Sequence, residues 1–195
     1  PSPISSAIVD GSQMTGVSII KMVKELDAGP ILFQQKFKIN SQFNSEQLGL
    51  ELFRIAAKNL NQTVKKIVDK SILEISQNHS LATYTKMIKK NDGLINWLDS
   101  GELIIRKFKA YSQWPGLYTH WNNKRLIIKE AEFQKKENII SKKNGQILEL
   151  NNQGIAVKTI DGLIYIKSLQ LEGGKIMNAS SFVNGRPSFL SSNLN

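Results

Sequence analysis

The apolar positions change their period along the chain, and those changes divide it. In "PISSAIVDG" they fall at Ile4, Ala7 and Ile8 with Gly11 following, the spacing of a helix's last turns stopped by a glycine. "TGVSIIKMV" (15–23) and "ILFQQKFKI" (31–39) are rich in β-branched and aromatic residues and flank "KELDAGP", so both are expected as strands joined by a loop. Beyond Ser45, apolar side chains recur at helical spacing at Leu48, Leu52, Ile55, Ala56, Leu60, Val64, Ile67 and Val68. Ser45 is the expected N-cap, because its hydroxyl can satisfy a backbone N–H that has no partner inside the helix. Strands followed by a long amphipathic helix read as part of an α/β layer.

"DKSILEISQNHSLATYTK" (69–86) has polar and turn residues with weak periodicity and is expected as a connection between domains. After it, Ser100 opens a short helical pattern with Leu103, Ile104 and Phe108 inward and Arg106, Lys107 and Lys109 largely outward, ended by Trp114-Pro115-Gly116. Then come short alternating runs, "LYTHW", "KRLIIKEAEF", "GQILEL", "GIAVKTI" and "GLIYIKSLQL", joined by "NN", "NNQG" and "DG" turns. Five short strands with tight turns predict a small closed or nearly closed β-barrel.

Composition narrows the function classes. The 195 residues, 41% of them hydrophobic, are enough for two small cores. No apolar run approaches the ~20 residues of a membrane-spanning helix, and no basic-then-apolar leader opens the chain. Cysteine is absent, which excludes disulfides and thiolate metal sites and fits a reducing cytoplasm. Of the 26 Lys+Arg and 16 Asp+Glu, residues 1–83 hold 9 and 7 while residues 84–195 hold 17 and 9, so the basic excess is C-terminal. Such an excess suits either a polyanion partner or a solvated lysine-rich face.

Spacing alone offers little chemistry. His79 and His120 have no ligand-spaced partners, so no metal is expected. No glycine-rich phosphate loop, nucleophile elbow or cysteine nucleophile occurs. Trp97, Tyr111, Trp114, Tyr118 and Trp121 lie near basic segments and can either stack nucleic-acid bases or fill a core. Asp27, in the "KELDAGP" loop, is either a turn former bonding its own backbone or a working carboxylate.

"TGVSIIKMVKELDAGPILFQ" closely resembles the methionyl-tRNA formyltransferase family, in which T-G-V-T/S is followed by L-D-x-G-P/D-x-L. The likeness continues through "TYTKMIKKNDGLINW", then "RKFKAYSQWPGLYT", similar to R-x-x-R-A-F-x-P-W-P-G-A-x-T, and on through "GQILELNNQGIAVKTIDGLIYIKSLQLEGGKIM" and "FVNGR". It runs in order along essentially the whole chain. The first motif is shared with other formyltetrahydrofolate-dependent enzymes; its combination with the later blocks is more specific. Asn96, Lys109 and Gln113 depart from the usual Asp, Arg and Pro, and the lysine keeps the cation while losing the bidentate fork.

The resemblance implies an α/β fold: the remainder of a Rossmann-like formyltransferase domain (1–71), a linker (72–91) and an OB-type β-barrel domain (92–195). Family members open with a strand-helix region, an Asn-x-His pair and a folate segment leading into R-G-x-x-P-I, of which "PSPI" matches the end. The chain is therefore expected as the C-terminal part of such an enzyme, inactive alone. The family reaction transfers a formyl group from 10-formyltetrahydrofolate to the amine of methionine on initiator tRNA. The resemblance makes Asp27 the third member of an Asn-His-Asp site whose first two members have no counterpart here. It places Met22, Leu26, Asp27 and Gly29 at the folate pocket. For tRNA it offers Lys86, Lys89, Lys90, Arg106, Lys107, Lys109, Lys124 and Arg125. A cytoplasmic monomer without membrane contact is expected. The other readings are a formyltransferase acting on a nucleotide-linked amino sugar and an RNA-binding remnant without catalysis.

Overall fold

A proline at the first helical position costs no intrahelical hydrogen bond, and Pro3 opens α1 (Pro3–Val9) in the computed structural model, which describes residues 2–139 and 143–195. These residues divide into two units, Pro1–Met87 and Ile88–Asn195.

In the first unit β1 (Met14–Ile20) and β2 (Ile31–Lys38) form an antiparallel pair, registered from Met14 opposite Lys38 to Ile20 opposite Ile31. Helix α2 (Ser45–Val68) follows. Its cap is Asn44 rather than the expected Ser45. The Asn44 side chain accepts from the Gln47 N–H at 2.9 Å and the Gln47 side chain accepts from the Asn44 N–H at 3.0 Å, a reciprocal capping box that the serine could not form one position later. The expected apolar face is only partly covered. Leu48 and Leu52 are buried, whereas Leu60, Val64, Ile67 and Val68 are exposed, as are Leu50 and Phe53 on other faces. Cover does not simply stop partway along the helix, because Thr63 in its C-terminal half is buried between exposed Leu60 and Val64.

The connection is more ordered than its composition suggests. Ile75 pairs with Ile31 through two backbone hydrogen bonds of 2.8 and 3.0 Å, extending the hairpin's edge.

The second unit opens with a 3-10 turn (Lys90–Gly93) and α3 (Gly101–Ala110). As expected, Ser100 caps α3, accepting from the Leu103 N–H at 3.2 Å. Asp161 accepts from the Gly101 N–H at 2.7 Å and satisfies a second orphan donor. The strands are β3 (Leu117–Trp121), β4 (Lys124–Lys135), β5 (Ile147–Asn151), β6 (Gly154–Lys158), β7 (Gly162–Leu171) and β8 (Ile176–Asn178). They make one antiparallel sheet in the order β3-β4-β7-β6-β5, with β8 also on β7. The "NN" signal is the β3–β4 turn, with both asparagines at positive φ, as a two-residue hairpin requires. Short α4 (Ala179–Asn184) and a 3-10 turn (Pro187–Ser191) follow β8.

The last residues touch both outer strands. Asn195 exchanges backbone hydrogen bonds with His120 of β3, and Ser192 accepts from Ile147 of β5 while Leu194 donates to Gly145. The terminal segment thus joins the two edges that the strand order leaves open. The core beneath combines Ile104 of α3 with Leu126, Ile155, Val157, Ile166 and Leu169 of the sheet. Trp121, Phe182 and Phe189 meet there edge to face, with centroids 5.0–6.1 Å apart. Trp97 is buried and donates its indole N–H to Thr119 Oγ1 at 3.1 Å.

Candidate functional site

Asp27 lies in the loop between β1 and β2, and the loop is anchored on both sides. At its base the Lys21 N–H donates to the Pro30 carbonyl at 3.0 Å. Gly29 is buried against the Lys21 carbonyl, so close that an added Cβ would sit 1.7 Å from that oxygen. Asp27 itself adopts left-handed backbone, φ 54°, which Asp tolerates better than most residues. The Asx-type bond that turn chemistry suggests is not among the hydrogen bonds of the described residues; the exposed carboxylate is left to solvent.

The outer anchor is a residue that sequence reasoning missed. Gln77 Nε2 donates to the backbone carbonyls of Asp27 at 2.8 Å and Gly29 at 2.6 Å. Nearby, Lys21 pairs with Glu74 at 2.7 Å, an exposed ion pair that contributes little by itself. No local signal announces Gln77, because its partners lie about fifty positions away and are main-chain atoms that any sequence carries. Met22 and Leu26 are among the most exposed apolar side chains of the first unit. Both lie on the loop that carries Asp27, one five positions before it and the other adjacent to it. A cleft of about 470 Å³ over Gly16, Gln34 and Gln35 lies elsewhere on the hairpin and is lined by none of Met22, Leu26, Asp27 or Gly29.

Chemically, an exposed carboxylate on a pinned loop can accept a hydrogen bond, orient a neighbouring donor or stabilise a cation. Alone it cannot both take a proton from an attacking amine and donate to a developing oxyanion. His79, in the same unit, makes no described bond to it. His79 sits in a 3-10 turn (His79–Leu81), and His120 on β3 packs edge-on against Tyr118 at 5.7 Å. Among the described residues no group of three or more His, Cys, Asp or Glu is placed to hold a metal ion, and no helix is long and apolar enough to cross a membrane.

The basic candidates occupy different settings. Lys86 belongs to the first unit and is exposed; its carbonyl accepts from the Ser2 hydroxyl at 3.1 Å. In the second unit Lys89, Lys90 and Lys124 are exposed. Lys107 is tied to Asp99 at 2.6 Å with both side chains largely covered. Arg106 and Lys109 are half-buried, and burial lowers the Lys109 pKa below the ordinary lysine value. Arg125 stacks over the Tyr118 ring, 3.9 Å from its centroid, and donates to the Pro115 carbonyl at 3.3 Å.

Arg125 thereby supports the loop made by Trp114, Pro115 and Gly116. On another side Gly93 abuts the Gly116 carbonyl so closely that a Cβ there would lie 2.1 Å from the oxygen, and Ile95 donates to the Tyr118 carbonyl at 2.8 Å. The blocks "NDGLINW" and "WPGLYT" are therefore in contact, which their separation in sequence does not reveal.

Comparison with known proteins follows the same division. The family model for "Formyl transferase" matches residues 1–64, and that for "Formyl transferase, C-terminal domain" matches residues 87–187. A protein named methionyl-tRNA formyltransferase from Caldicellulosiruptor saccharolyticus is 40% identical over 183 residues, 94% of this chain and 58% of that protein. The chain thus spans less than two thirds of the relatives it matches. Among solved structures, HypX from Aquifex aeolicus in complex with tetrahydrofolic acid aligns with a TM-score of 0.70 at 17% identity, over 97% of this chain and 33% of that one. The N-formyltransferase from Helicobacter canadensis, solved with folinic acid and dTDP-3-aminofucose, gives 0.65 at 16% identity, over 91% and 61%. At such identities these two speak for the α/β fold.

Proposed function

The chain belongs to the formyl transferase family, and from that premise we propose that it serves a methionyl-tRNA formyltransferase acting in translation initiation. The reading is carried by one observation, the 40% identity that runs through both units to a relative of that name. Within it, residues 1–71 are the remainder of a Rossmann-like catalytic domain, 72–91 a linker, and 92–195 a barrel of the oligonucleotide-binding type, in a cytoplasmic monomer.

In the proposed reaction the amine nitrogen of methionyl-tRNA attacks the formyl carbon of 10-formyltetrahydrofolate. The new N–C bond forms as the bond from that carbon to the folate nitrogen breaks. The attacking amine gives up a proton and the folate nitrogen gains one. Asp27 orients an imidazole and stabilises its charged form, which assists that proton transfer. Met22 and Leu26 hold the pterin side of the donor, with Gly29 closing the base of the loop that carries them. The lysines of the second unit, with Lys86, neutralise tRNA phosphates.

Because the Asn-x-His pair of the resembled family has no counterpart among these 195 residues, the chain supplied with both substrates is expected to form no formyl-methionyl-tRNA. Turnover at the rate of an intact enzyme would overturn that assignment. Titration of the same chain with initiator tRNA is expected to show binding that weakens steeply from about 50 to about 200 mM salt. Changing Lys89 and Lys90 to alanine should reduce the log–log slope by about one per lysine. Binding that ignores salt, or no binding at all, removes tRNA as the partner. The fold shared with the amino-sugar N-formyltransferase makes a nucleotide-linked amino sugar the second reading, which saturable binding of such a nucleotide without tRNA binding would favour. Salt-sensitive tRNA binding with no gain of catalysis in an intact enzyme would leave RNA binding alone.

A further inference from the structure

The three tryptophans of the second unit are treated differently by the fold. Trp97 and Trp121 are 5% and 9% exposed, whereas Trp114 is 54% exposed. An indole left in water costs apolar solvation that burial would recover. Trp114 is also presented firmly. The loop carrying it is fixed by the Gly116 N–H donating to the Tyr111 carbonyl at 3.0 Å, by Arg125 donating to Pro115 O at 3.3 Å, and by Gly93 against the Gly116 carbonyl. A loop backbone held this way needs little reordering when something packs on the ring it carries.

The surroundings indicate what packs there. Residues 88–195 carry 16 Lys+Arg against 9 Asp+Glu. The turn whose Gly93 abuts the loop carries exposed Lys90, and exposed Lys89 immediately precedes it. Two acids are also near. Asp92 is engaged with the Lys89 backbone N–H at 2.7 Å and Glu172 with the Arg125 N–H at 3.1 Å. Lysine is depleted from the cores of protein–protein interfaces, while an exposed aromatic ring on a loop that a basic turn abuts is an arrangement suited to single strands, the ring taking a base and the cations its phosphates.

We propose that Trp114 is a stacking platform for one unpaired base of single-stranded RNA. The inference deepens the tRNA reading and rests on it for which RNA is bound; the stacking chemistry does not depend on it. The test uses the full chain and a six-nucleotide oligoadenylate, with a blunt RNA duplex as control, at low salt. Oligoadenylate should quench tryptophan emission and shield it from acrylamide, since Trp114 is the exposed indole. Trp114→Ala should abolish both effects and weaken binding by about tenfold or more. Trp114→Phe should retain most of the affinity, because a phenyl ring still stacks. Lys89→Glu should weaken binding in a salt-dependent way while leaving the quench at saturation unchanged.

The proposal is overturned if Trp114→Ala binds oligoadenylate within twofold of the parent chain, if saturating oligoadenylate leaves acrylamide access unchanged, or if the duplex quenches equally. Should Trp114→Ala fold poorly, the acrylamide measurement on the unaltered chain decides alone. Initiator tRNA binding that is insensitive to Trp114 defeats this inference and leaves the tRNA reading standing. Oligoadenylate stacking without tRNA binding does the reverse.

Discussion

Phe189→Ala should lower the stability of the second unit by about 3–5 kcal/mol, enough to consume much of the ~5–15 kcal/mol that holds a typical domain. Phe189 is fully buried, and its ring meets Trp121 at 5.1 Å and Phe182 at 5.0 Å, both edge to face. Truncation therefore removes transfer free energy and two oriented ring contacts, and leaves a void between a strand and a helix that cannot close without moving both. All three tryptophans lie in this unit, so their fluorescence during urea unfolding reads its stability directly. The midpoint should fall sharply, and Phe189→Leu should recover part of the loss. A shift worth less than about 1 kcal/mol, the scale of an ordinary surface change, would contradict the packing described.

The second large effect is local to the other unit. Gly29→Ala would place a methyl group 1.7 Å from the Lys21 carbonyl oxygen, a main-chain atom that cannot swing aside as a side chain would. The loop must open, breaking the Lys21–Pro30 hydrogen bond and the two bonds from Gln77. A cost of about 1–3 kcal/mol is expected from overpacking. Amide hydrogen exchange of Lys21 and Ile31 should accelerate, while the tryptophan-reported transition of the second unit stays where it was. Unchanged exchange at Lys21 would show that the loop is not closed as described. If the proposed function holds, an intact enzyme carrying the change loses activity through displacement of Asp27 and keeps its tRNA affinity.

Much of the secondary structure was legible because it follows local rules. Helix α3 was marked by Ser100 and by three apolar positions at helical spacing, and the β3–β4 hairpin by "NN". The run "GLIYIKSLQL" matches β7 at both ends, but the three-residue β8 was harder. "GGKIMN" is too short to show alternation, and the pairing of β8 with Ser168–Gln170 depends on a neighbour's register. The long helix was recognisable, but its burial was not. Periodicity shows which face is apolar and says nothing of what covers it, so Leu60, Val64 and Ile67 look like core in sequence and are exposed in the fold, while polar Thr63 between them is buried.

The candidate site divides in the same way. Asp27 could be singled out through the motif around it, since turn chemistry alone made it an ordinary loop residue. Gln77 could not, because a side chain bonding to distant main-chain oxygens leaves no pattern. The tryptophans illustrate the limit most clearly. Trp97, Trp114 and Trp121 are equivalent as letters near basic segments, and tertiary structure alone assigns two to the core and one to the surface.

The terminal segment that joins β3 to β5 also bears on when the second unit can finish folding. Thr119 and Asn195 are 76 positions apart and share a hydrogen bond. At ribosomal rates of about 5–20 residues per second, Asn195 emerges about 4–15 s after β3. Throughout that interval the outer strands of a nascent chain have unpaired backbone groups, the condition under which sheet edges recruit neighbouring chains. Slow synthesis or crowded polysomes should therefore penalise this unit through misassembly more than its equilibrium stability would suggest.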